Sequence, residues 1–128
     1  ENPDAFKGKF IPLQVSAPFH CSLMKPAAEK MSYLLGATKF QDFKTPVLAN
    51  ATAEFYKNKS ETAALLTKQI TGAVLWQQSM EKLQDLEISE IIEVGPGSVL
   101  SGLMKRINKN ISTKSISSVK SLKESFPS

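Results

Sequence analysis

The chain has 128 residues, of which 41% are hydrophobic and 22% charged, and its formal net charge is +4. This composition is typical of one globular domain. It predicts neither a membrane nor a nucleic-acid partner, because no stretch reaches the roughly 18 consecutive apolar residues of a membrane-spanning helix and the lysines do not form dense basic blocks.

The sequence contains one cysteine, Cys21, and one histidine, His20. A single cysteine cannot form an intrachain disulfide, and this pair does not have the spacing of a transition-metal site. We therefore predict no disulfide and no metal. Because the first four residues lack the basic and apolar regions of a signal peptide, we expect a cytoplasmic protein.

The first predicted elements surround the histidine. Residues 11–16 form a short apolar run, and Pro18 disfavours helix in the residue before it, so a strand or extended segment ends there. His20 then follows a strand end. From Pro26 to Gly36, apolar residues recur at three- and four-residue steps, which predicts an amphipathic helix.

The next elements bring two polar residues to element ends. Residues 47–50 predict a buried parallel strand that delivers Asn50 to a loop. Ser60 is the predicted N-cap of a helix over 62–70, which places Gln69 in the last helical turn.

The last third alternates helix and strand. A helix is marked by Trp76, Met80, Leu83 and Leu86. A strand over 88–94 stops at the glycine turn 95–97, after which Ser98 is the predicted cap of a helix. A strand over 113–119 and a short terminal helix follow. The alternation predicts an α/β fold with a mostly parallel sheet, in which ligands gather at the carboxyl ends of the strands.

Taken alone, these residues support several interpretations. His20 has the position of a general base after a strand, but a lone histidine in this pattern is more often a structural or surface residue, which we favour on the pattern alone. Cys21 is expected to be a small buried thiol. The turn at 93–98 either binds an anion on backbone N–H groups or is a tight strand-to-helix corner, which we favour. No G-x-S-x-G nucleophile elbow occurs in the chain.

Four segments in order resemble one enzyme family. Residues 15–27 (VSAPFHCSLMKPA) resemble the histidine motif of malonyl-CoA:acyl carrier protein transacylases. Residues 46–50 (PVLAN), Gln69 with residues 74–76 (VLW), and residues 92–100 (IEVGPGSVL) are similar to later landmarks of that family.

The resemblance implies an α/β-hydrolase-like domain interrupted by a ferredoxin-like small subdomain. Residues 1–12 would finish the small subdomain, and residues 13–128 would be the C-terminal part of the large domain. The family's nucleophilic serine and its malonyl-binding arginine lie upstream of the histidine motif and have no counterpart in this sequence. We therefore expect the chain alone to be inactive.

The resemblance also assigns roles. His20 would be the catalytic base in ping-pong transfer of malonyl from malonyl-CoA to the phosphopantetheine thiol of acyl carrier protein, without a cofactor. The Gln69 backbone carbonyl would accept a hydrogen bond from its other ring nitrogen. Asn50 would orient groups or add polarity in the substrate pocket, and Phe19 would fill the space that an α-methyl group needs.

The partner surface and two alternatives complete the expectations. For Lys105 and Arg106, on the exposed side of the helix after the glycine turn, the alternatives are contact with the acidic surface of the carrier and simple solvation, which we favour. The alternative enzyme is an acyltransferase domain of a modular polyketide or fatty acid synthase, which the short C-terminal tail disfavours. The alternative that is not an enzyme is a non-catalytic remnant that binds the carrier. Lacking the earlier strands, the chain alone should aggregate or be partly molten.

Overall fold

The computed structural model describes residues 17–127. The strand predicted over 11–16 and the small-subdomain segment predicted over 1–12 lie outside these residues.

The described chain alternates helices and strands. In chain order the elements are a 3₁₀ turn Ser22–Met24, α1 Lys25–Ala37, β1 Leu48–Ala49, β2 Glu54–Phe55, a 3₁₀ turn Lys59–Glu61, α2 Thr62–Thr71, α3 Trp76–Gln84, β3 Glu90–Val94, α4 Val99–Ile107, β4 Ser112–Ile116 and α5 Val119–Ser125. This order confirms the predicted α/β class. The helix predicted over 26–36 is present and runs through Gly36 to Ala37 before Thr38 leaves helical geometry.

The strands β3 and β4 form a parallel pair joined by α4. Their register runs from Glu90 opposite Ser112 to Val94 opposite Ile116. Because parallel neighbours need a crossover connection, the helix between them is the expected link. The predicted strand–glycine turn–helix–strand order is thus correct over this part of the chain.

The pairing expected for the strand at 47–50 is wrong within the described residues. Only Leu48 and Ala49 are in strand geometry, and they pair antiparallel with Phe55 and Glu54. The reversal follows from a tight turn in which Ala53 has φ 53° and its N–H donates to Ala49 O at 2.9 Å. A positive φ is uncommon for alanine, so the sequence carried no signal for this turn.

The helices pack in two groups. Met80 of α3, Met104 of α4 and Ile111 form a buried cluster, against which Trp76, Leu83, Ile91 and Ile107 pack. In the earlier part of the chain, α1 packs along α2, and Ala28 of α1 is buried. This second packing brings the segment around His20 to the end of α2.

The two serines predicted as helix caps differ in outcome. Ser60 is not the N-cap of α2; it lies in the preceding 3₁₀ turn, which is capped by Asn58, whose side-chain oxygen accepts from Ser60 N–H at 2.9 Å. Ser98 occupies the predicted N-cap position of α4, but its side chain makes no capping hydrogen bond. Whether a side chain at a cap position reaches the helix N–H groups depends on the local turn geometry, which sequence order alone does not reveal.

Among the described helices, none has the length and apolar content needed to cross a bilayer. The described part of the chain likewise contains no cluster of three metal-ligating side chains.

Candidate active site

His20 lies in a tight turn between Ala17 and the 3₁₀ turn that precedes α1. Phe19 N–H donates to Ala17 O at 2.9 Å, and His20 itself has φ 58°. Holding a residue other than glycine in this left-handed region costs about 1–3 kcal/mol, and such residues cluster at functional sites. The imidazole is exposed, so one of its nitrogens is available to a reacting group.

Cys21 does not form a nucleophile pair with its neighbour. Its Sγ lies 3.1 Å from Pro18 O, to which the thiol donates. The side chain is partly buried. The predicted buried thiol is thus only partly buried, and its hydrogen bond is made to Pro18 and not to His20.

The backbone of Gln69 holds the other side of the imidazole. His20 Nδ1 is 2.8 Å from Gln69 O. A carbonyl oxygen only accepts hydrogen bonds, so Nδ1 carries the proton in this contact, and the lone pair of the neutral ring resides on Nε2. The contact that the family resemblance implies is therefore present; its catalytic role stays a prediction.

The end of α2 explains why this carbonyl is free. Gly72 N–H donates to Lys68 O at 3.0 Å, and Gly72 then adopts φ −96° and ψ 159°. Because the chain leaves the helix there, the following N–H no longer reaches Gln69 O, which remains available to a side chain.

Asn50 is connected to the same region through its backbone. It follows β1 directly, and its carbonyl accepts from Leu75 N–H at 2.9 Å. Leu75 lies in the segment that links α2 to α3, a few residues beyond Gln69. A backbone hydrogen bond therefore links the turn at Asn50 to the segment after Gln69. The side chain of Asn50 is exposed and makes no hydrogen bond within the described residues.

The remaining predicted site residues are exposed. Phe19, next to His20 in the turn, keeps 56% of its surface accessible. Lys105 and Arg106 lie in the last turn of α4 and point away from the helix's buried Met104. The structure brings together His20, Phe19 and Gln69, and it places the two basic residues on a different element.

Glu93 is an important residue that the sequence did not reveal. Its carboxylate accepts from Leu100 N–H at 3.1 Å and from Ser101 N–H at 2.9 Å. The bond from Ser101 N–H is the main cause that lowers the pKa of Glu93 below its ordinary value, and hydrogen bonds from Leu100 N–H and from the Ser115 hydroxyl, at 3.5 Å, add to it. The glycine turn is therefore a tight corner whose helix N–H groups are already occupied by the chain's own anion.

A groove lies between α1 and α2 beside the histidine turn, and we call it the α1–α2 groove. Its volume is about 480 Å³. It is lined by Ser22, Lys25, Ala28, Glu29, Ser32, Thr67, Lys68 and Thr71. Its lining includes the residue two positions after His20 and the residue directly before Gln69, but neither His20 nor Gln69 itself.

Comparison with known proteins identifies close relatives. The chain is 41% identical over 107 residues to the malonyl CoA-acyl carrier protein transacylase of Bacillus subtilis, a match that covers 84% of this chain and 34% of the relative. The crystal structure of the Streptococcus pneumoniae transacylase superposes with a TM-score of 0.81 at 39% identity, covering 88% of this chain and 36% of that one.

A third match is a malonyl transacylase solved with a type II polyketide synthase acyl carrier protein, at TM-score 0.80 and 34% identity, covering 88% of this chain and 36% of that one. No family model matches the chain. The chain spans 34% of the length of the Bacillus relative and 36% of each of these two solved chains.

Proposed function

The chain is related to the malonyl-CoA:acyl carrier protein transacylases over part of their length, as its motifs predicted, and on this premise we propose that it supplies the histidine side of that active site. The parent enzyme would transfer malonyl from malonyl-CoA to the phosphopantetheine thiol of acyl carrier protein in fatty acid biosynthesis. The observation that carries the proposal is the 2.8 Å contact between His20 Nδ1 and Gln69 O.

In the first half-reaction, His20 Nε2 accepts the proton of a serine hydroxyl supplied from outside this chain. The serine oxygen attacks the malonyl thioester carbonyl, the C–S bond breaks, and the CoA thiolate takes the proton from the imidazolium. The Gln69 carbonyl keeps the proton on Nδ1 and stabilises the imidazolium, a task for which other hydrolases use aspartate.

The second half-reaction repeats these steps with the carrier. His20 Nε2 accepts the proton of the phosphopantetheine thiol, whose sulfur attacks the malonyl-serine ester. The C–O bond breaks, and the serine oxygen regains its proton from the imidazolium. All atoms and protons balance without a cofactor, so the proposal includes none.

We propose the finer fold on the same premise. Residues 13–128 form the C-terminal part of an α/β-hydrolase-like domain, and residues 1–12 complete a ferredoxin-like small subdomain. The parallel β3–β4 pair supports the first assignment. An enzyme of this pathway acts on substrates of the cytoplasm, which is the location we propose.

Phe19 and Asn50 are proposed as pocket residues. Phe19 directly precedes the base and its ring is exposed, and by the family resemblance the ring would occupy the volume of a substrate α-methyl group. One methyl group changes binding by about 1–3 kcal/mol, so discrimination against methylmalonyl would be partial. Asn50 would add a polar group at the end of β1.

Lys105 and Arg106 are proposed as the carrier-docking residues. Both are exposed in the last turn of α4, and cationic side chains attract an acidic partner before contact. The solved complex of a related transacylase with its acyl carrier protein supports a protein partner of this kind. Replacing both residues by glutamate should raise KM for the carrier and leave KM for malonyl-CoA unchanged.

A polyketide pathway is the second candidate. It is favoured by the related structure, which holds a carrier of a type II polyketide synthase. The chemistry of His20 would be the same, and the two candidates differ only in the carrier protein that accepts malonyl.

The proposal is tested by the intact mass of the source protein before and after exposure to malonyl-CoA. We expect a species above 14.0 kDa that gains one malonyl group, loses it to acyl carrier protein, and acylates about 10²–10⁴-fold more slowly with His20→Ala. A 14.0 kDa species that never acquires the group contradicts it and supports a non-catalytic carrier-binding fragment.

A further inference from the structure

Ala28 is the one buried side chain among the described residues of α1, with 8% of its surface accessible. It lines the α1–α2 groove together with Thr67, Lys68 and Thr71 of α2. Among the described elements, α2 packs along the greatest part of α1. Because alanine has no side-chain atom beyond Cβ, the two helices can approach closely at this position. The size of residue 28 therefore sets the separation of α1 from the last turn of α2.

The turn that carries His20 is a hydrogen-bonded extension of the start of α1. Met24 N–H donates to Cys21 O at 3.0 Å, and the Cys21 thiol donates to Pro18 O at 3.1 Å. The 3₁₀ turn Ser22–Met24 then passes directly into α1. Since these bonds join the turn to the helix, a displacement of α1 is transmitted to the imidazole.

The end of α2 has anchors of its own that do not involve α1. Gly72 N–H donates to Lys68 O at 3.0 Å where α2 ends. Leu75 N–H donates to Asn50 O at 2.9 Å, which links the segment after α2 to the β1–β2 hairpin. The carbonyl of Gln69 is therefore held in place when α1 moves, and a displacement of α1 changes its distance from the imidazole.

A small displacement is enough to weaken the contact between the imidazole and this carbonyl. His20 Nδ1 lies 2.8 Å from Gln69 O, and N–H···O bonds extend to about 3.2 Å, which leaves a tolerance of about 0.4 Å. The interaxial distance of packed helices varies over roughly 8–10 Å with the side chains at the contact. This variation of about 2 Å is several times the tolerance. One larger side chain in the contact is therefore sufficient to lengthen the bond beyond its usual range.

We propose that Ala28 is a positioning residue for the base: its small side chain holds α1 close enough to α2 for His20 Nδ1 to donate to Gln69 O. Because this bond keeps the proton on Nδ1, the separation of the helices determines whether Nε2 is free to accept a proton. The expected effect on malonyl transfer rests on the proposed function, whereas the effect on the imidazole does not.

The experiment compares Ala28→Val with Ala28→Gly in the complete source protein. Valine adds two methyl groups at the contact, whereas glycine removes one and leaves the helices free to approach. Both residues have a lower helix propensity than alanine, and glycine has the lowest of the three. A loss of helix stability alone would therefore affect Ala28→Gly at least as strongly. The matched control is Ala37→Val, at an exposed position of the same helix.

The first readout is the tautomer of the His20 ring, which is measured from ¹⁵N chemical shifts of histidine-labelled protein. The signals of His20 are those that His20→Ala removes. We expect Ala28→Val to raise the share of rings with the proton on Nε2. Ala28→Gly and Ala37→Val should keep the shifts of the unsubstituted protein.

The second readout is malonyl transfer by the same variants. We expect kcat of Ala28→Val to fall roughly 10- to 100-fold, since a misplacement of about 1 Å can reduce a rate by about 10². The fall should appear in kcat and not in KM, because the tautomer of the base affects proton transfer and not the binding of substrate. Far-ultraviolet circular dichroism identifies a variant that has lost its helices. If Ala28→Val does not fold, Ala28→Ser adds a single atom at the same point and should change the tautomer in the same direction by less.

Two results overturn the inference: ring shifts that are the same in the folded larger variant and in the unsubstituted protein, or an equal change of the shifts in Ala28→Gly. The two proposals fail separately. If the unsubstituted protein does not transfer malonyl but Ala28→Val still changes the ring shifts, the function is wrong and the role of Ala28 stands. If transfer depends on His20 while Ala28→Val changes neither the shifts nor kcat, the role of Ala28 is wrong and the function stands.

Discussion

At the scale of single residues, the site depends on a backbone atom that side-chain mutagenesis cannot remove. The carbonyl oxygen of Gln69 accepts from His20 Nδ1 because Gly72 ends α2. A Cβ at Gly72 would lie 3.0 Å from Lys68 O, a contact tighter than most observed Cβ contacts. The glycine is therefore the residue through which the carbonyl can be displaced.

We expect Gly72→Ala to move the last turn of α2 and lengthen the contact between His20 and Gln69. The imidazole then loses its preference for the proton on Nδ1, and ¹⁵N chemical shifts of the ring should report a larger share of the other tautomer.

Gly36→Ala is the matched control, because a Cβ there has no neighbour within 4 Å and alanine stabilises a helix interior by about 0.5–1 kcal/mol. Identical ring shifts in Gly72→Ala and in the unsubstituted chain would contradict the assigned role of the glycine.

The sequence pointed to His20 through its position after a predicted strand, whereas the partner Gln69 came from the family resemblance. No local pattern identifies a backbone carbonyl as an acceptor for a side chain 49 positions away. Its availability depends on where α2 ends and on how α1 packs against it, and both are tertiary effects.

At the scale of elements, Glu93 links the end of β3 to the start of α4. Its carboxylate binds the N–H groups of Leu100 and Ser101, whereas Ser98, at the N-cap position, makes no side-chain capping bond. A negative charge at a helix N-terminus is favourable both as an acceptor and through the helix dipole. The first turn of α4 should therefore be sensitive to this carboxylate.

Glu93→Gln should accelerate hydrogen exchange of the Leu100 and Ser101 amides at neutral pH, because a neutral amide oxygen accepts more weakly. The control is Glu90→Gln on the same strand, where Lys114 is the main cause of a lowered pKa and the pair is partly exposed. Such pairs contribute little, so exchange in α4 should not change. Equal protection of the Leu100 and Ser101 amides in both variants would contradict the assignment of Glu93 as the group that caps α4.

The same bonds predict a pH dependence. The pKa of Glu93 in the folded chain is below the ordinary 4.5, so its stabilising contribution is complete above that value. It is lost as the pH falls through the lower folded pKa. In acid, the unsubstituted α4 amides should approach the exchange rates of Glu93→Gln, and an unchanged difference at the lowest pH would contradict this.

Element positions were predicted well where periodicity is long, and less well where short turns decide the geometry. The 13-residue helix α1 was predicted from apolar spacing, and the 10-residue helix α2 from its composition and the glycine after it. The β1–β2 hairpin was missed because it depends on a positive φ at Ala53. Ser60 was misplaced as a cap because Asn58 caps the 3₁₀ turn before α2, and at α4 the Glu93 carboxylate binds the first N–H groups while the Ser98 side chain does not.

At the scale of the whole molecule, apolar side chains on the described surface form an unpaired face. Val94, Val99 and Val119, at the carboxyl end of β3 and at the starts of α4 and α5, each expose at least 70% of their surface. Large apolar patches on a soluble protein mark contacts with another polypeptide or a risk of aggregation. About two-thirds of the length of the relatives lies outside the match. Polypeptide of that length is sufficient to pack against such an apolar face.

We expect the 128-residue chain alone to associate at micromolar concentration, and Val94→Ser/Val119→Ser to reduce this association. The control is Tyr33→Ser, which removes an 81% exposed ring on α1, away from the sheet. Light scattering across a concentration series measures the effect. A monomeric unsubstituted chain with one sharp, reversible unfolding transition would show that the segment is an autonomous domain.

The bond between His20 and Gln69 also has a consequence for folding kinetics. It closes a loop of 49 positions that contains α1, the β1–β2 hairpin and nearly all of α2. Loop closure of this length is entropically unfavourable until the enclosed helices dock. In a refolding experiment the ring resonances of His20 should thus reach their native values in the same kinetic phase as α1–α2 docking, so the base is assembled only when these two helices pack.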